Sequence, residues 1–294
     1  QNYLGNIYLQ GINSFVLKKK IGKDKFSGSK KITSLLVSKN NIIFSDDRGT
    51  IYYVNEKGRI IWKKNIYKKA YKKIYKNLVF SIYNDNIFIA DNIGFIYSIN
   101  LEDGKMFWIR NYEIGMKSNI KVFDNKIFLI NEDNKIFCLN TKDGSLIWNI
   151  LSIKSFIKSE NLLSLALTKD GNLLAITSSA DVYKIRGNTG DILWSRNTAD
   201  SLYSDATDFF TSSQIVIDND KVIFSSGSNT FLLKTENGET LWRKEVSSVG
   251  APVISGDNIF IVSDNGYLII LDKDTGEIIS SNNILKVLKK KKRE

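Results

Sequence analysis

Few side chains in this sequence are of the types that carry out catalysis or bind metals. The 294 residues include a single cysteine, Cys138, and no histidine. The lack of histidine excludes Ser-His-Asp triads, histidine-ligated metals and histidine general bases. Cys138 lies in the apolar run 136–139, which predicts a buried and unreactive thiol. The residue types therefore predict no catalytic residues, no metal site and no enzymatic activity.

Aspartates are the remaining candidates for acid–base or metal chemistry. Five of them are expected in β-turns at equivalent positions of the repeats: Asp46, Asp47, Asp91, Asp133 and Asp264. Aspartate at such positions commonly accepts hydrogen bonds from the turn's own backbone, so we expect a turn-forming role. The run 272–277 resembles the beginning of a calcium loop, but the acid expected at the twelfth position is missing. A hairpin turn is the better interpretation of this run.

The net charge is +11, and much of it is clustered in short runs. These runs are Lys18–Lys20, Lys63 and Lys64, Lys68–Lys76, and Lys289–Arg293. Basic runs can bind nucleic acids or anionic membranes, but they are more often solvated loops. No nucleic-acid motif surrounds Tyr67, Tyr71 and Tyr75, so we expect no nucleic-acid partner. No apolar span reaches 18 residues, so we expect no membrane-crossing helix.

A glycine followed four residues later by tryptophan recurs along the chain and accounts for all five tryptophans. The pairs are Gly58 and Trp62, Gly104 and Trp108, Gly144 and Trp148, Gly190 and Trp194, and Gly238 and Trp242. A sixth copy begins at Gly276 and has Ser280 in place of the tryptophan. The glycines are 38 to 48 residues apart. Such a period predicts one supersecondary unit repeated along the chain.

Each repeat contains four short runs of strand-forming residues separated by Asn, Asp and Gly. In the second repeat these runs are 77–85, 86–90, 94–99 and 105–110. This pattern predicts an antiparallel meander of four strands. Four strands in about 44 residues is the size of a propeller blade. The fold class is therefore predicted to be all-β, a β-propeller with six recognisable blades.

The glycine and the tryptophan of each repeat have separate expected roles. Glycine supplies the positive φ of the hairpin before the last strand. The indole ring is large enough to cover the gap to the neighbouring blade. We therefore interpret Gly58, Gly104, Gly144, Gly190, Gly238 and Gly276, with Trp62, Trp108, Trp148, Trp194 and Trp242, as structural docking residues.

The repeats resemble the PQQ-type, or quinoprotein-like, β-propeller family with its tryptophan-docking motif. The segments 86–108 and 258–276 carry the pattern best, and the resemblance covers about residues 32–282. One branch of that family comprises PQQ-dependent dehydrogenases, which bind PQQ and calcium and often carry vicinal cysteines. Vicinal cysteines are absent here, and all five tryptophans are assigned to docking. We therefore expect no cofactor, while a dehydrogenase-like or degenerate enzyme stays as an alternative.

The second branch is the BamB-like family of outer-membrane assembly lipoproteins. That resemblance implies a non-enzymatic interaction scaffold that is periplasmic or associated with the outer membrane. It implies protein partners, either barrel-assembly components or unfolded outer-membrane proteins. The lipobox cysteine of that family is not seen here, so membrane contact is expected only through a partner or an anchor outside this chain. A truncated, non-functional propeller fragment is a further alternative.

The ends of the chain leave the blade number open. We expect one propeller domain over residues 1–288 and a disordered basic tail over 289–294. The segments Tyr3–Leu17 and Ile284–Leu288 would supply strands for a composite seventh blade, unless the propeller is truncated from eight blades.

Long connections between repeats are the expected sites of partner contact. These connections are 67–76, 152–160 and 197–211. The last combines acidic and aromatic residues, which makes it the candidate partner loop. Its candidate residues are Asp200, Asp205, Asp208, Phe209 and Phe210.

Overall fold

The computed structural model describes residues 35–38, 40–152, 159, 161–199 and 210–286. Within these residues the chain forms 24 strands and one short 3-10 turn, Lys69–Tyr71, and residues 285 and 286 are helical. The strands make six four-stranded sheets whose strands follow chain order. The all-β prediction is confirmed, and each sheet is one blade of the predicted propeller.

The first three sheets hold strands β1 to β12. The first contains β1 (Leu36–Ser38), β2 (Asn41–Ser45), β3 (Thr50–Val54) and β4 (Ile60–Asn65). The second contains β5 (Leu78–Tyr83), β6 (Asn86–Asp91), β7 (Phe95–Asn100) and β8 (Met106–Asn111). The third contains β9 (Lys121–Phe123), β10 (Lys126–Ile130), β11 (Lys135–Asn140) and β12 (Leu146–Leu151).

The last three sheets hold strands β13 to β24. The fourth contains β13 (Leu165–Leu167), β14 (Leu173–Ile176), β15 (Asp181–Ile185) and β16 (Ile192–Asn197). The fifth contains β17 (Val216–Asp218), β18 (Lys221–Ser226), β19 (Asn229–Lys234) and β20 (Thr240–Lys244). The sixth contains β21 (Val253–Ser255), β22 (Asn258–Val262), β23 (Tyr267–Asp272) and β24 (Ile278–Asn283).

Asparagine and aspartate close the hairpin between the first two strands of several sheets. In the second sheet Asn84 and Asp85 have φ values of 49° and 56°, and in the third Asp124 and Asn125 have 45° and 59°. Two consecutive residues with positive φ give a turn whose twist matches that of the flanking strands. Asn and Asp adopt this backbone conformation at lower cost than other non-glycine residues. The Asn and Asp residues that predict turns in the sequence therefore form these turns in the structure.

The described residues divide into two compact units. The first unit holds the described residues of 35–132 and 137–147, and the second holds those of 133–136 and 148–286. In the first unit a core of buried side chains includes Ile43, Ile51, Leu78, Ile87 and Ile89, so it joins the first and second sheets. The expectation of a single domain over 1–288 stays a prediction.

Two such cores lie among the described residues of the second unit. One joins the fourth and fifth sheets and includes Leu174, Val182 and Phe224. The other joins the fifth and sixth sheets and includes Ile223, Ile259 and Leu271. Neighbouring sheets thus bury their apolar faces against each other, which is how a repeat protein builds a core from units that are too small alone.

The expected strand over Ile284–Leu288 is wrong where the structure describes it. Strand β24 ends at Asn283, and residues 284–286 form a bend and a turn of helix. The side-chain oxygen of Asn283 accepts a hydrogen bond from the backbone N–H of Lys286 at 3.1 Å, which stabilises a turn in place of an extended strand. Residues 287–294 and the segment Tyr3–Leu17 lie outside the described residues, so a composite seventh blade stays a prediction.

Candidate functional site

Each tryptophan ring lies against the glycine of the next repeat. A Cβ built on Gly104, Gly144, Gly190, Gly238 or Gly276 would lie 2.6–3.1 Å from a ring carbon of Trp62, Trp108, Trp148, Trp194 or Trp242, respectively. At four of these positions a Cβ would overlap the ring, and at Gly104 it would make a tight contact with Trp62. Four of the five indoles are at most 9% exposed, and Trp62 is half-buried.

Each indole also donates a hydrogen bond across the same contact. The acceptor is the backbone carbonyl three residues before the docking glycine, at 2.9–3.1 Å: Leu101 for Trp62, Thr141 for Trp108, Gly187 for Trp148, Thr235 for Trp194 and Lys273 for Trp242. A buried indole N–H requires such an acceptor. The ring and its N–H are both engaged in this contact between repeats, which indicates a structural role. The docking role of these residues is our proposal from this geometry.

Gly144 shows why the hairpin that receives the ring needs glycine. Its φ is +69°, and its N–H donates to the carbonyl of Asn140 at 2.9 Å. The side chain of Asn140 accepts a second hydrogen bond from Lys142 N–H at 2.8 Å. The backbone at this position must adopt the left-handed conformation. Glycine adopts it at low cost, and its lack of a Cβ leaves room for the ring of Trp108.

The recurrent aspartates lie at the connections between the second and third strands of their sheets. Asp46 accepts from the N–H groups of Arg48 and Thr50 at 3.0 and 2.8 Å. Asp91 accepts from three consecutive N–H groups, those of residues 93 to 95, at 2.8–2.9 Å. Asp264 accepts from Val249 N–H at 3.1 Å. Asp46 and Asp91 each direct one oxygen at N–H groups of their own turn, whereas Asp264 holds the backbone of a neighbouring loop.

The positions of these aspartates within the turn are not identical. Asp46 and Asp91 come three residues before the residue with positive φ, Asp47 and Asp264 come two before it, and Asp133 comes one before it. The expectation of equivalent positions is therefore met only within the first two pairs.

The calcium-like run forms a hairpin turn. Asp272 accepts hydrogen bonds through one carboxylate oxygen from the N–H groups of Asp274 and Thr275, at 3.0 and 2.8 Å. The hydroxyl of Thr275 donates to the same oxygen at 3.0 Å. These bonds, with those from Thr275 foremost, lower the pKa of the Asp272 carboxyl. Among the described residues no three His, Cys, Asp or Glu side chains are grouped as a metal site would need.

Cys138 lies inside strand β11 and is fully buried. Burial raises the pKa of its thiol to about 12, although the charge of Lys126 opposes the shift. A thiol with this pKa is protonated at neutral pH and is a poor nucleophile.

A buried polar cluster that the sequence did not predict lies between the first and second sheets. The Tyr67 hydroxyl donates to Asp91 at 2.5 Å, and the ring of Tyr97 meets the ring of Tyr67 edge-on at 6.0 Å. Burial raises the pKa of both tyrosines, and the charge of Asp91 adds to the effect. Burial also raises the pKa of Asp91, although Tyr67 and the backbone N–H groups pull it down.

Lys76 completes this cluster and is fully buried. Its ammonium group donates to the carbonyls of Tyr71 and of Ile74, the latter at 2.6 Å, and lies 5.0 Å from the centre of the Tyr67 ring. The sequence placed Lys76 in a solvated basic run, and for this residue that interpretation is wrong. No local sequence signal separates Lys76 from the exposed lysines before it, because its acceptors and the Tyr67 ring are brought to it by the fold.

The candidate partner loop is described only at its end. Asp200, Asp205, Asp208 and Phe209 lie outside the described residues. Phe210 forms an isolated parallel bridge with Ser159 and packs, partly buried, against the core of the fourth and fifth sheets. The partner-binding role of this loop stays a prediction.

A cavity of about 600 Å³ opens between the second and third sheets beside Trp108. Asn86, Ser98, Phe107, Trp108, Asn125, Asn140, Thr141 and Lys142 line it. Ser98 is paired in register with Trp108, and its buried hydroxyl finds no hydrogen-bond partner among the described residues. The same register position holds Tyr53 and Leu232 in other sheets, so the small serine accounts for the space.

The outermost strand of each sheet exposes apolar side chains just before the tryptophan position. Their exposed fractions are 38–59%, and the residues are Ile60, Ile61, Phe107, Leu146, Ile147, Ile192, Leu193, Leu241, Ile278 and Ile279. Within the described residues β4, β8, β12, β16, β20 and β24 each stand at the end of the strand order. These strands therefore combine a free edge with exposed apolar groups.

No helix in the described parts of the chain has the length and apolar character needed to span a membrane.

Comparison with known proteins identifies the family. The profile of one family, described as Outer membrane protein assembly factor BamB, matches residues 47–282. A protein of Moranella endobia (strain PCIT), named Outer membrane protein assembly factor BamB, is 21% identical over 235 residues. The match covers 71% of this chain and 58% of that relative.

Solved structures share the fold. The crystal structure of BamB from Moraxella catarrhalis matches with a TM-score of 0.74 at 14% identity and covers 86% of this chain and 76% of that one. A europium-containing methanol dehydrogenase matches with a TM-score of 0.67 at 11% identity and covers 85% of this chain and 68% of that one. Identities this low establish the propeller fold alone. Because the family profile spans most of the sequence, the chain belongs to the BamB family of outer membrane protein assembly factors.

Proposed function

We propose that this protein is a non-enzymatic scaffold that binds protein partners during the assembly of outer-membrane proteins, on the periplasmic side of the outer membrane. Membership of the BamB family supports this setting. The chain spans only 58% of the length of the relative from Moranella endobia. Its partners are therefore part of the proposal and are inferred from the exposed surface of the chain. Barrel-assembly components and unfolded outer-membrane proteins are the partner classes.

The observation that carries the proposal is the row of exposed apolar side chains on the outer strands. In the third sheet Leu146 and Ile147 are 45% and 42% exposed, and in the sixth Ile278 and Ile279 are 54% and 59% exposed. An extended protein segment binds such a strand through backbone hydrogen bonds and through contacts with alternate side chains. The unpaired strands of a nascent barrel protein offer both free backbone groups and alternating apolar side chains.

The positions of the carboxylates support a role other than catalysis. Asp46, Asp91 and Asp272 direct their oxygens at backbone N–H groups in turns. Trp108 and Trp148 are enclosed by the glycines of the next repeat. The dehydrogenase alternative rests on fold likeness at 11% identity, and no arrangement of the described side chains favours it over the scaffold.

The proposal is tested by site-specific photocrosslinking in cells. A photoreactive residue replaces exposed Ile147 in one variant, and exposed Lys169 on a turn between strands in the matched control. We expect the Ile147 variant to crosslink to a barrel-assembly component or to an outer-membrane protein, and the Lys169 variant to do so far less.

Two results would contradict the scaffold proposal. The first is equal crosslinking from both positions, since the outer strand would then have no preference for these partners. The second is a product made up only of cytosolic proteins, which would place the chain outside the envelope.

A further inference from the structure

Among the described residues, one segment carries the excess of basic over acidic side chains. Residues 57–84 contain nine Lys or Arg and no Asp or Glu. The other described residues contain 18 basic and 25 acidic side chains. A genome that favours lysine codons would spread additional lysines evenly along the chain. Such a bias therefore does not explain why basic residues outnumber acidic ones only in this segment.

The loop between β4 and β5 presents the densest part of that charge. Lys68, Lys69, Lys72 and Lys73 are all exposed, and they lie within a stretch of six residues that includes the 3-10 turn. The turn is closed by hydrogen bonds from Tyr71 N–H to Lys68 and from Lys72 N–H to Lys69, at 3.1 and 3.2 Å. The backbone therefore places four lysines on one short exposed stretch.

Tyr67, Tyr71 and Lys76 anchor the same loop to the rest of the protein. Tyr67 donates to Asp91, Tyr71 packs its ring edge-on against Phe95 at 5.2 Å, and the N–H of Lys76 donates to the carbonyl of Asp47 at 3.1 Å. Because these anchors face the protein, the lysines between them face solvent. The loop thus presents a preformed surface, and ordering it on contact with a ligand costs little conformational entropy.

Ile74 adds an apolar group beside the lysines and is 43% exposed. Lysine is a compact cation on a flexible stem and lacks the planar fork with which arginine grips a single carboxylate or phosphate. Several lysines with an adjacent aliphatic side chain suit a diffuse layer of anionic headgroups above an apolar interior. The net negative charge of the other described residues would orient the protein with this loop toward such a layer.

We propose that the loop 68–74 is a docking surface for the anionic lipid headgroups of a membrane. This surface is separate from the outer-strand contacts of the proposed function and adds to them a direct attachment to the bilayer. The contact is peripheral and electrostatic, with Ile74 reaching the headgroup boundary.

Vesicle flotation with the full chain tests this inference. The probes are phosphatidylglycerol–phosphatidylethanolamine vesicles and neutral phosphatidylcholine vesicles. We expect binding to the anionic vesicles alone, and weaker binding as salt rises because exposed charges are screened. Replacing Lys68, Lys69, Lys72 and Lys73 by Gln should lower the affinity about fivefold per charge, or several hundred-fold in total.

A matched variant separates local from total charge. Lys105, Lys142, Lys169 and Lys286 are exposed and dispersed, and their replacement by Gln removes the same four charges. We expect this dispersed variant to keep most of its vesicle binding. A thermal melt of both variants checks that each is folded, and Ile74→Ser should weaken vesicle binding severalfold without changing the charge.

Three results would overturn the inference. They are no binding to anionic vesicles at low salt, equal losses in the two quadruple variants, and a loop whose lysines bind duplex DNA but not vesicles. Photocrosslinking from position 147 in the variant that lacks Lys68, Lys69, Lys72 and Lys73 tests the scaffold proposal separately from the lipid contact. Crosslinking that persists without vesicle binding refutes only the lipid contact.

Discussion

The hydroxyl of Tyr67 donates a hydrogen bond of 2.5 Å to the carboxylate of Asp91 across the first and second sheets. Asp91 is 1% exposed and accepts three backbone N–H groups through its other oxygen. A single buried carboxylate thus ties the loop after β4 to the turn after β6. Its charge is stabilised by hydrogen bonds and destabilised by burial, and burial is the larger effect on its pKa.

Stability should depend on pH through Asp91. Its folded-state pKa is raised above the ordinary value of about 4, so the folded protein binds a proton more tightly than the unfolded chain. The contribution of this group to stability therefore falls as the pH rises from about 4 through the raised pKa. Asp91→Asn keeps an oxygen for the backbone N–H groups and cannot titrate.

The measurement is the free energy of unfolding of both proteins between pH 4 and pH 8. The wild type should lose stability relative to Asp91→Asn as the pH rises. A difference that is flat, or that grows in favour of the wild type, would show that burial does not control this carboxyl.

Gly144→Ala should destabilise the protein through two effects. Alanine at this position would have to adopt an unfavourable positive φ of 69°, and its Cβ would lie 2.6 Å from a ring carbon of Trp108. The backbone effect alone costs about 1–2 kcal/mol, and the overlap adds about 1–3 kcal/mol. Denaturant unfolding followed by tryptophan fluorescence measures the total.

Gly256→Ala is the matched control for that prediction. Gly256 has a φ of 58°, and a Cβ there would have no atom within 4 Å. It should show the backbone cost without the overlap. Equal losses in the two variants would mean that the ring of Trp108 does not require the glycine.

Ser98→Leu should stabilise the second sheet by filling the cavity beside Trp108. The serine hydroxyl is buried with no hydrogen-bond partner among the described residues, and Leu232 occupies the matching register position in the fifth sheet. Removing an unpaired hydroxyl and filling space is worth about 1 kcal/mol. Ser98→Ala removes only the hydroxyl and should give a smaller gain in the free energy of unfolding. A loss of more than about 1 kcal/mol in the leucine variant would show that the cavity cannot take the larger side chain.

Cys138 should not react with a thiol-specific reagent at pH 8 while the protein is folded. Its thiol is fully buried, and burial raises its pKa to about 12, so both access and thiolate content are low. Reaction should become complete in denaturant. Ser281→Cys places a thiol at an exposed position on β24 and should react at once in the native state, as the control. Fast labelling of Cys138 itself would mean that β11 opens readily.

The blades were predictable from sequence because their signal is local and repeated. Glycines such as Gly104 and Gly144, followed by tryptophan, mark a hairpin whose geometry depends on a few adjacent residues. The inward direction of Lys76 was not predictable, because it depends on carbonyl groups and on Tyr67, which the fold brings together. The cavity at Ser98 was hidden for a related reason: serine is unremarkable in a strand until the third strands of all the sheets are compared.

Every indole hydrogen bond runs forward along the chain, and none of the five runs backward. Each acceptor lies 31 to 41 residues after its donor. A blade therefore cannot bury its own tryptophan until the hairpin that begins the docking motif of the next repeat has formed. Each blade is completed by its successor in the chain, so deleting one repeat would expose the indole of the repeat before it. Folding that starts at the N-terminus would leave one unburied indole at the growing end of the folded part.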